Sequence, residues 1–414
     1  MARPDPSPSR PAGRVPLLSV RLFGILGGVV LALMVLACLG TLPYSMGTAD
    51  PAGGGQQPRY NAQSLDAYLL PPFWAGMDDE ETARLEQHTA RIDDSEEAAS
   101  TRYWLGTDQL GRDFLTRCLA GGAISLGIGI AAAILAVVIG TLYGMVAGFA
   151  GGRTDTVMMR VVDVLYGLPY ILLVVLLAVA LDGLVDGAQH TAFRIQQLAE
   201  AGGADAPGGS YATVTDALAD EGWWIKTNYW WPGPINWLSS FCTSHRGLIN
   251  FLTLLMAIGG VSWLTLARVI RGQVLSLKNR PFMEASRALG VPVKRQLFVH
   301  ILPNLVGPIV VYATLTVPQA ILQESFLSFL GIGIRPPLPS WGNLASDGLS
   351  QLNPVESRWW LLLWPCVLLG TTLLALNFLG EGLRESLDPK RRQYGGSDEV
   401  IRSTEPGSTP GPTA

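Results

Sequence analysis

Charge is what this chain has least of. Asp, Glu, Lys and Arg make up 15% of its 414 residues, against about 25% in an ordinary soluble domain, so most of its length cannot carry a water-facing surface of normal density. Histidine is scarcer still. His88, His190, His245 and His300 are far apart in the chain, and none has the spacing of a metal site or of a nucleophile with its base; no catalytic or metal residues are expected. The four cysteines, Cys38, Cys118, Cys242 and Cys366, include no CxxC pair and read as buried or interfacial residues without a disulfide framework. No GxxxxGK[ST] run occurs, so the chain has no evident loop for cradling ATP. A net charge of −4 gives no reason to expect a nucleic-acid partner.

Apolar residues are what fill the space, at 49% of the chain with a mean hydropathy of +0.30. Six stretches reach the length of about 20 residues that a helix needs to cross a hydrocarbon core: Leu22 to Leu42, Ala123 to Ala150, Val157 to Leu181, Gly247 to Ala267, Asn304 to Phe326 and Trp359 to Leu379. The fold class this predicts is an all-α polytopic membrane protein. Lys and Arg set its orientation. More than half of the 29 basic residues fall in residues 1–21, around Arg153 and Arg160, between Arg268 and Arg295, and from Arg384 to Arg402, which places these pieces and both termini in the cytoplasm.

The predicted order is therefore a tail at 1–21, a first span at 22–42, an outer segment at 43–118, spans at 119–181, an outer loop at 182–246, spans at 247–380 with a cytoplasmic loop at 273–303, and a tail at 381–414. Val35 to Cys38 (VLAC), within the first span, faintly resembles a lipoprotein cleavage site, but the span's 21 uncharged residues exceed a usual signal core and favour a retained helix.

Within the spans, small residues recur every four positions at Ser125, Gly129 and Ala133 and again at Gly140, Gly144, Gly148 and Gly152. Such a stripe lets helix backbones approach closely where water cannot drive association. Asp163 falls inside the third stretch, read as a structural charge paired with Arg160, three residues earlier on the same face, or as a charge on the pathway. Glu324 ends the uncharged run of the fifth, to contact substrate or to sit at the interface. Pro169, Pro308 and Pro318 are expected to bend their helices.

A basic, polar island separates the fourth and fifth spans. It reads EASRALGVPVKRQLFVHILP, with Glu284, Ala285 and Ser286, then Gly290, then His300, Ile301, Leu302 and Pro303. Small residues, a glycine break and a proline stop predict two short helices folded back into a compact knob. The segment resembles the EAA loop of ABC importer permeases, with Ser286 in place of a second alanine. Four further stretches are similar to the C-type permease of the dipeptide, oligopeptide and nickel importers: Leu105 to Asp113 (LGTDQLGRD), Gly151 to Leu168, Arg268 to Leu277, and Ser325 to Asn343 (SFLSFLGIGIRPPLPSWGN).

The resemblance implies a non-catalytic subunit of an ATP-driven importer in a bacterial or archaeal cytoplasmic membrane. It also implies partners: a B-type permease, two ATP-binding subunits that hold the ATP and Mg²⁺, and an extracytoplasmic substrate-binding protein. Cargo would be peptides, with nickel or another small solute as the alternative. Glu284 to Pro303 would then couple the ATPases to the pathway, and Arg287, Lys294 and Arg295 would pair with acidic groups on them. A secondary transporter remains the rival class, but would be expected to show repeated halves with broken helices, and no such halves are evident. Two features depart from the family pattern. One is the long outer segment with acidic runs near Asp78 to Glu97. The other is the loop from Asp182 to Arg246, which carries a flexible Gly202 to Gly209 stretch and an aromatic cluster at Trp223, Trp224, Tyr229, Trp230, Trp231 and Trp237, read as a flap on the outer leaflet or, alternatively, as an added contact for a substrate-binding protein.

Overall fold

The apolar runs become helices. The computed structural model of the chain describes residues 17–49, 56–90, 102–201, 246–354 and 357–387; the tryptophan cluster, the Gly202 to Gly209 stretch, Cys242 and most of both tails lie outside them. α1 (Leu17–Gly40) and a short α2 (Leu42–Met46) lead into a two-stranded antiparallel pair, β1 (Thr48–Ala49) and β2 (Gln57–Pro58), and then α3 (Asp79–Thr89). Next come α4 (Phe114–Ala150), α5 (Gly152–Tyr166), α6 (Tyr170–Ala201), α7 (Arg246–Lys278), α8 (Pro281–Ala288), α9 (Leu302–Phe329), α10 (Trp341–Ser350) and α11 (Trp360–Leu387). Among the described residues, six helical stretches are long and apolar enough to cross a membrane.

α4 is central, and the small-residue stripe is the reason. Gly140, Gly144 and Gly148 lie against α7 so closely that a Cβ on Gly144 would stand 2.5 Å from the Ala267 carbonyl oxygen, while one on Gly129 would stand 2.1 Å from Ile321 of α9. Backbones this near exchange dispersion contacts that lipid cannot supply. The stripe stops at Gly148, however. Gly152 is exposed, with φ +57, and opens the next helix. A second close contact joins α1 to α11, where Cβ atoms on Gly24 and Gly27 would meet Gly382 Cα at 2.9 Å and the Ala375 carbonyl oxygen at 2.6 Å.

Three expectations are corrected. The stretch from Val157 to Leu181 is two helices, parted at Gly167, Leu168 and Pro169. Proline disfavours helical geometry in the residue before it and lacks the N–H to continue the ladder, so α5 ends and a new helix starts. α5 is consequently an amphipathic element, and Asp163 sits on it with its side chain largely exposed. The loop expected from Asp182 is helical as far as Ala201, in keeping with the helix-forming Leu, Ala, Gln and Arg residues there. Pro303 does not stop a helix. A π-helical turn at Gln296–Ile301 leads straight into α9, with the Asn304 side-chain amide donating to the His300 carbonyl at 2.7 Å. The wider turn accommodates the missing proline donor.

The segment between α2 and α4 is fastened by buried polar groups. Thr107 Oγ1 donates to the Ala67 carbonyl at 2.5 Å and accepts from Leu70 N at 2.7 Å. Asp108 accepts from Arg112 Nε at 2.7 Å, from the backbone N–H groups of Leu110 and Arg112 at 2.9 and 3.0 Å, and from Arg117. Arg112 reaches on to Asn61 Oδ1 at 3.0 Å. Burial alone raises the Asp108 carboxyl, but the Arg117 and Arg112 guanidiniums and the two backbone donors outweigh it and hold the group below the usual carboxylate range. Asp113 caps α4 by accepting from Thr116 N at 3.0 Å. A carboxylate on α3, Glu81, accepts from Arg358 ahead of α11 at 2.5 Å. Thus the stretch before α4 is tied to the ends of two long helices.

Candidate functional site

The knob between α7 and α9 follows from a few residues. Pro281 takes the first position of α8, where its missing N–H costs nothing. Gly290 ends the helix in the left-handed region at φ +70, and the Val291 N–H reaches the Ser286 carbonyl at 3.1 Å while the Gly290 N–H reaches the Arg287 carbonyl at 3.0 Å. These two bonds are the Schellman arrangement, which glycine adopts without a Cβ penalty. Met283 and Ser286, three residues apart, face inward; Met283 joins Ile270, Val274, Ile301 and Leu305 in one apolar cluster. Arg287 also donates to the Lys278 carbonyl at 3.2 Å, tying the helix to the end of α7.

The opposite face is bare. Glu284, Ala285, Arg287, Ala288 and Gly290 are exposed, and Leu289 at the tip is 82% exposed. Of the eight residues singled out in sequence, Glu284, Ala285 and Gly290 therefore lie on the projecting surface and Ser286 beneath it. Ile301 is fully buried in the cluster under the knob, His300 and Leu302 are half-buried, and Pro303 is exposed where α9 begins. Leu289 was not singled out, since nothing in its local sequence marks an apolar residue as exposed.

Asp163 and Glu324 have other surroundings than expected. Asp163 pairs with Arg268 of α7 at 3.0 Å rather than with Arg160, and the Arg268 guanidinium also stacks 4.0 Å over the Tyr166 ring. Together with a two-pronged Arg271–Asp155 pair at 2.5 and 2.7 Å, this straps α5 along α7. Glu324 is fully buried within the chain, accepting from Ser328 Oγ at 2.8 Å and Ser325 Oγ at 3.3 Å, with Ser125 of α4 and Ser340 at the start of α10 also donating. It holds three helices together and faces neither a membrane interface nor an open path.

A cavity of about 450 Å³, missed in the sequence, opens where the α5–α6 break meets α7 and α9. Tyr312, Thr316, Gln319 and Gln323 line it from α9, at the i, i+4, i+7, i+11 spacing of one helical face, and Ser262 and Thr265 face them from α7. The Tyr170 hydroxyl lies 2.8 Å from Ser262 Oγ and donates to Gln323 Oε1 at 3.0 Å. No charged side chain is among its lining residues. The legible signal was this polar stripe inside an apolar span.

Residues 140–393 match the family model described as binding-protein-dependent transport system inner membrane component. The chain is 36% identical over 311 residues to the oligopeptide transport system permease protein OppC of Bacillus subtilis, covering 75% of this chain and 79% of that protein. It is 39% identical over 290 residues to OppC of Haemophilus influenzae, at 70% and 71% coverage. To the dipeptide transport system permease protein DppC of Bacillus subtilis it is 37% identical over 294 residues, covering 71% of each.

Proposed function

The chain belongs to the inner membrane component family of binding-protein-dependent transport systems, as a C-type permease subunit of an ABC peptide importer, and from that premise we propose that its α8 knob receives the ATP-driven motion that opens and closes the pathway. The observation carrying this reading is the bare face of α8 joined to a buried root: Glu284, Ala285 and Leu289 project, while Met283 and Ile301 pack on α7 and α9. A push on the knob then moves two membrane-length helices as one body.

The family implies a membrane complex with another permease, an ATPase and a binding protein. In finer terms, a B-type permease lies alongside, two ATP-binding subunits sit under the knob and hold the ATP and Mg²⁺, and a binding protein delivers cargo from the far side. Arg287, Lys294 and Arg295 pair with acidic groups on the ATPases. The knob and both termini then lie in the cytoplasm, as the Lys and Arg distribution supports. The peptide relatives favour peptides over nickel as cargo.

The test is uptake of labelled peptide by liposomes holding the complete assembly. Uptake should require ATP and the binding protein and should persist when an uncoupler collapses the proton gradient; uptake that survives ATP removal but fails with the uncoupler would assign the chain to the secondary transporters.

A further inference from the structure

We propose that the cavity between α7 and α9 is a binding site for the main chain of a peptide in transit, reading its amide groups and not its side chains. This rests on the peptide-importer assignment and adds the place and chemistry of contact. Tyr170, Ser262, Thr265, Thr316, Gln319 and Gln323 supply hydroxyl and carboxamide groups, which both donate and accept. An extended peptide offers alternating C=O and N–H groups that need that mixture. Ammonium, carboxylate and charged side chains would instead call for opposite charges, and the cavity lining has none.

Two details favour a ligand over a mere polar seam. Gln323 Oε1 is held by the Tyr170 hydroxyl, which fixes the amide and leaves its N–H₂ as a donor for the cavity. Gln319 and Thr265 are exposed on facing helices, and a span surface bearing a polar stripe avoids lipid. The volume of about 450 Å³ is within the range of small-molecule sites. Such a site imposes little side-chain selection of its own, so discrimination is left to delivery.

The experiment compares uptake of Ala-Lys-Ala and Ala-Asp-Ala by liposomes holding the complete assembly, with wild type, Gln319→Glu and Gln319→Lys. Because one binding protein serves all three, a change in the Lys/Asp uptake ratio reports the permease. Gln319→Glu should raise the ratio about ten-fold and Gln319→Lys lower it by a similar factor, since like charges brought together in a confined site are strongly disfavoured. Thr265→Asp, on the opposite helix, should act as Gln319→Glu does and serves if the latter assembles poorly. Ratios equal to wild type in assembled complexes would overturn the proposal while leaving peptide import standing. Absence of any peptide uptake by wild type would overturn both.

Discussion

Asp108 and Arg117 illustrate how much a single pair can hold. Arg117 is nearly inaccessible at the start of α4, and Asp108 is its charge partner. Asp108→Asn leaves that guanidinium buried without its charge, and breaking such a pair costs about 3–5 kcal/mol; the variant should unfold at a lower temperature in detergent, followed by tryptophan fluorescence. Because the folded-state carboxyl titrates below its unfolded value of about 3.9, its stabilisation is complete above that pH and is lost as pH falls through the folded value. Asp113 and Asp347, both raised by burial, act in the opposite sense. The gap between wild type and Asp108→Asn should therefore be constant at neutral pH and narrow below about pH 4. The motif LGTDQLGRD was legible as a match, but its chemistry was not, because the partners Asn61 and Arg117 are set by folding and not by local spacing.

Helices and turns were more legible than their contacts. The knob could be read directly, since Gly290 after a run of helix formers and Pro281 before it are local instructions. Gly290→Val forces a β-branched residue to φ +70, a strain of about 1–2 kcal/mol, with nothing else near the new Cβ. Peptide uptake and stimulation of the ATPases should fall sharply while the chain still inserts, as measured by membrane fractionation beside the transport assay. Gly144→Leu acts elsewhere: with the Ala267 carbonyl 2.5 Å from its Cβ, it should separate α4 from α7 and reduce the yield of assembled complex on size exclusion. The third span was misread because hydropathy sums smoothly across Gly167 and Pro169, whereas helix geometry does not. Pro169 was read as a bend and not as a break, and Asp163 was given Arg160, the neighbour that local spacing offers, because Arg268 is brought to it only by folding.

At the scale of the molecule, composition was sufficient for an all-α membrane bundle; of the polar cavity only the stripe on α9 was legible, because its other walls come from separate parts of the chain. The proposed sidedness is directly measurable. In a chain whose own cysteines are replaced, Leu289→Cys at the exposed tip should react with a membrane-impermeant maleimide in inside-out vesicles stripped of the ATP-binding subunits and stay unlabelled in intact cells. Labelling from the outer side would reverse the orientation. The glycine contact between α1 and α11 bears on how the protein is made. The first span leaves the ribosome well before α11, and until that helix is made only its half around Met34 and Cys38, which packs on α4, has a partner within the bundle. Chains interrupted before α11 should accordingly be ready prey for membrane proteases, a built-in check that only finished copies endure.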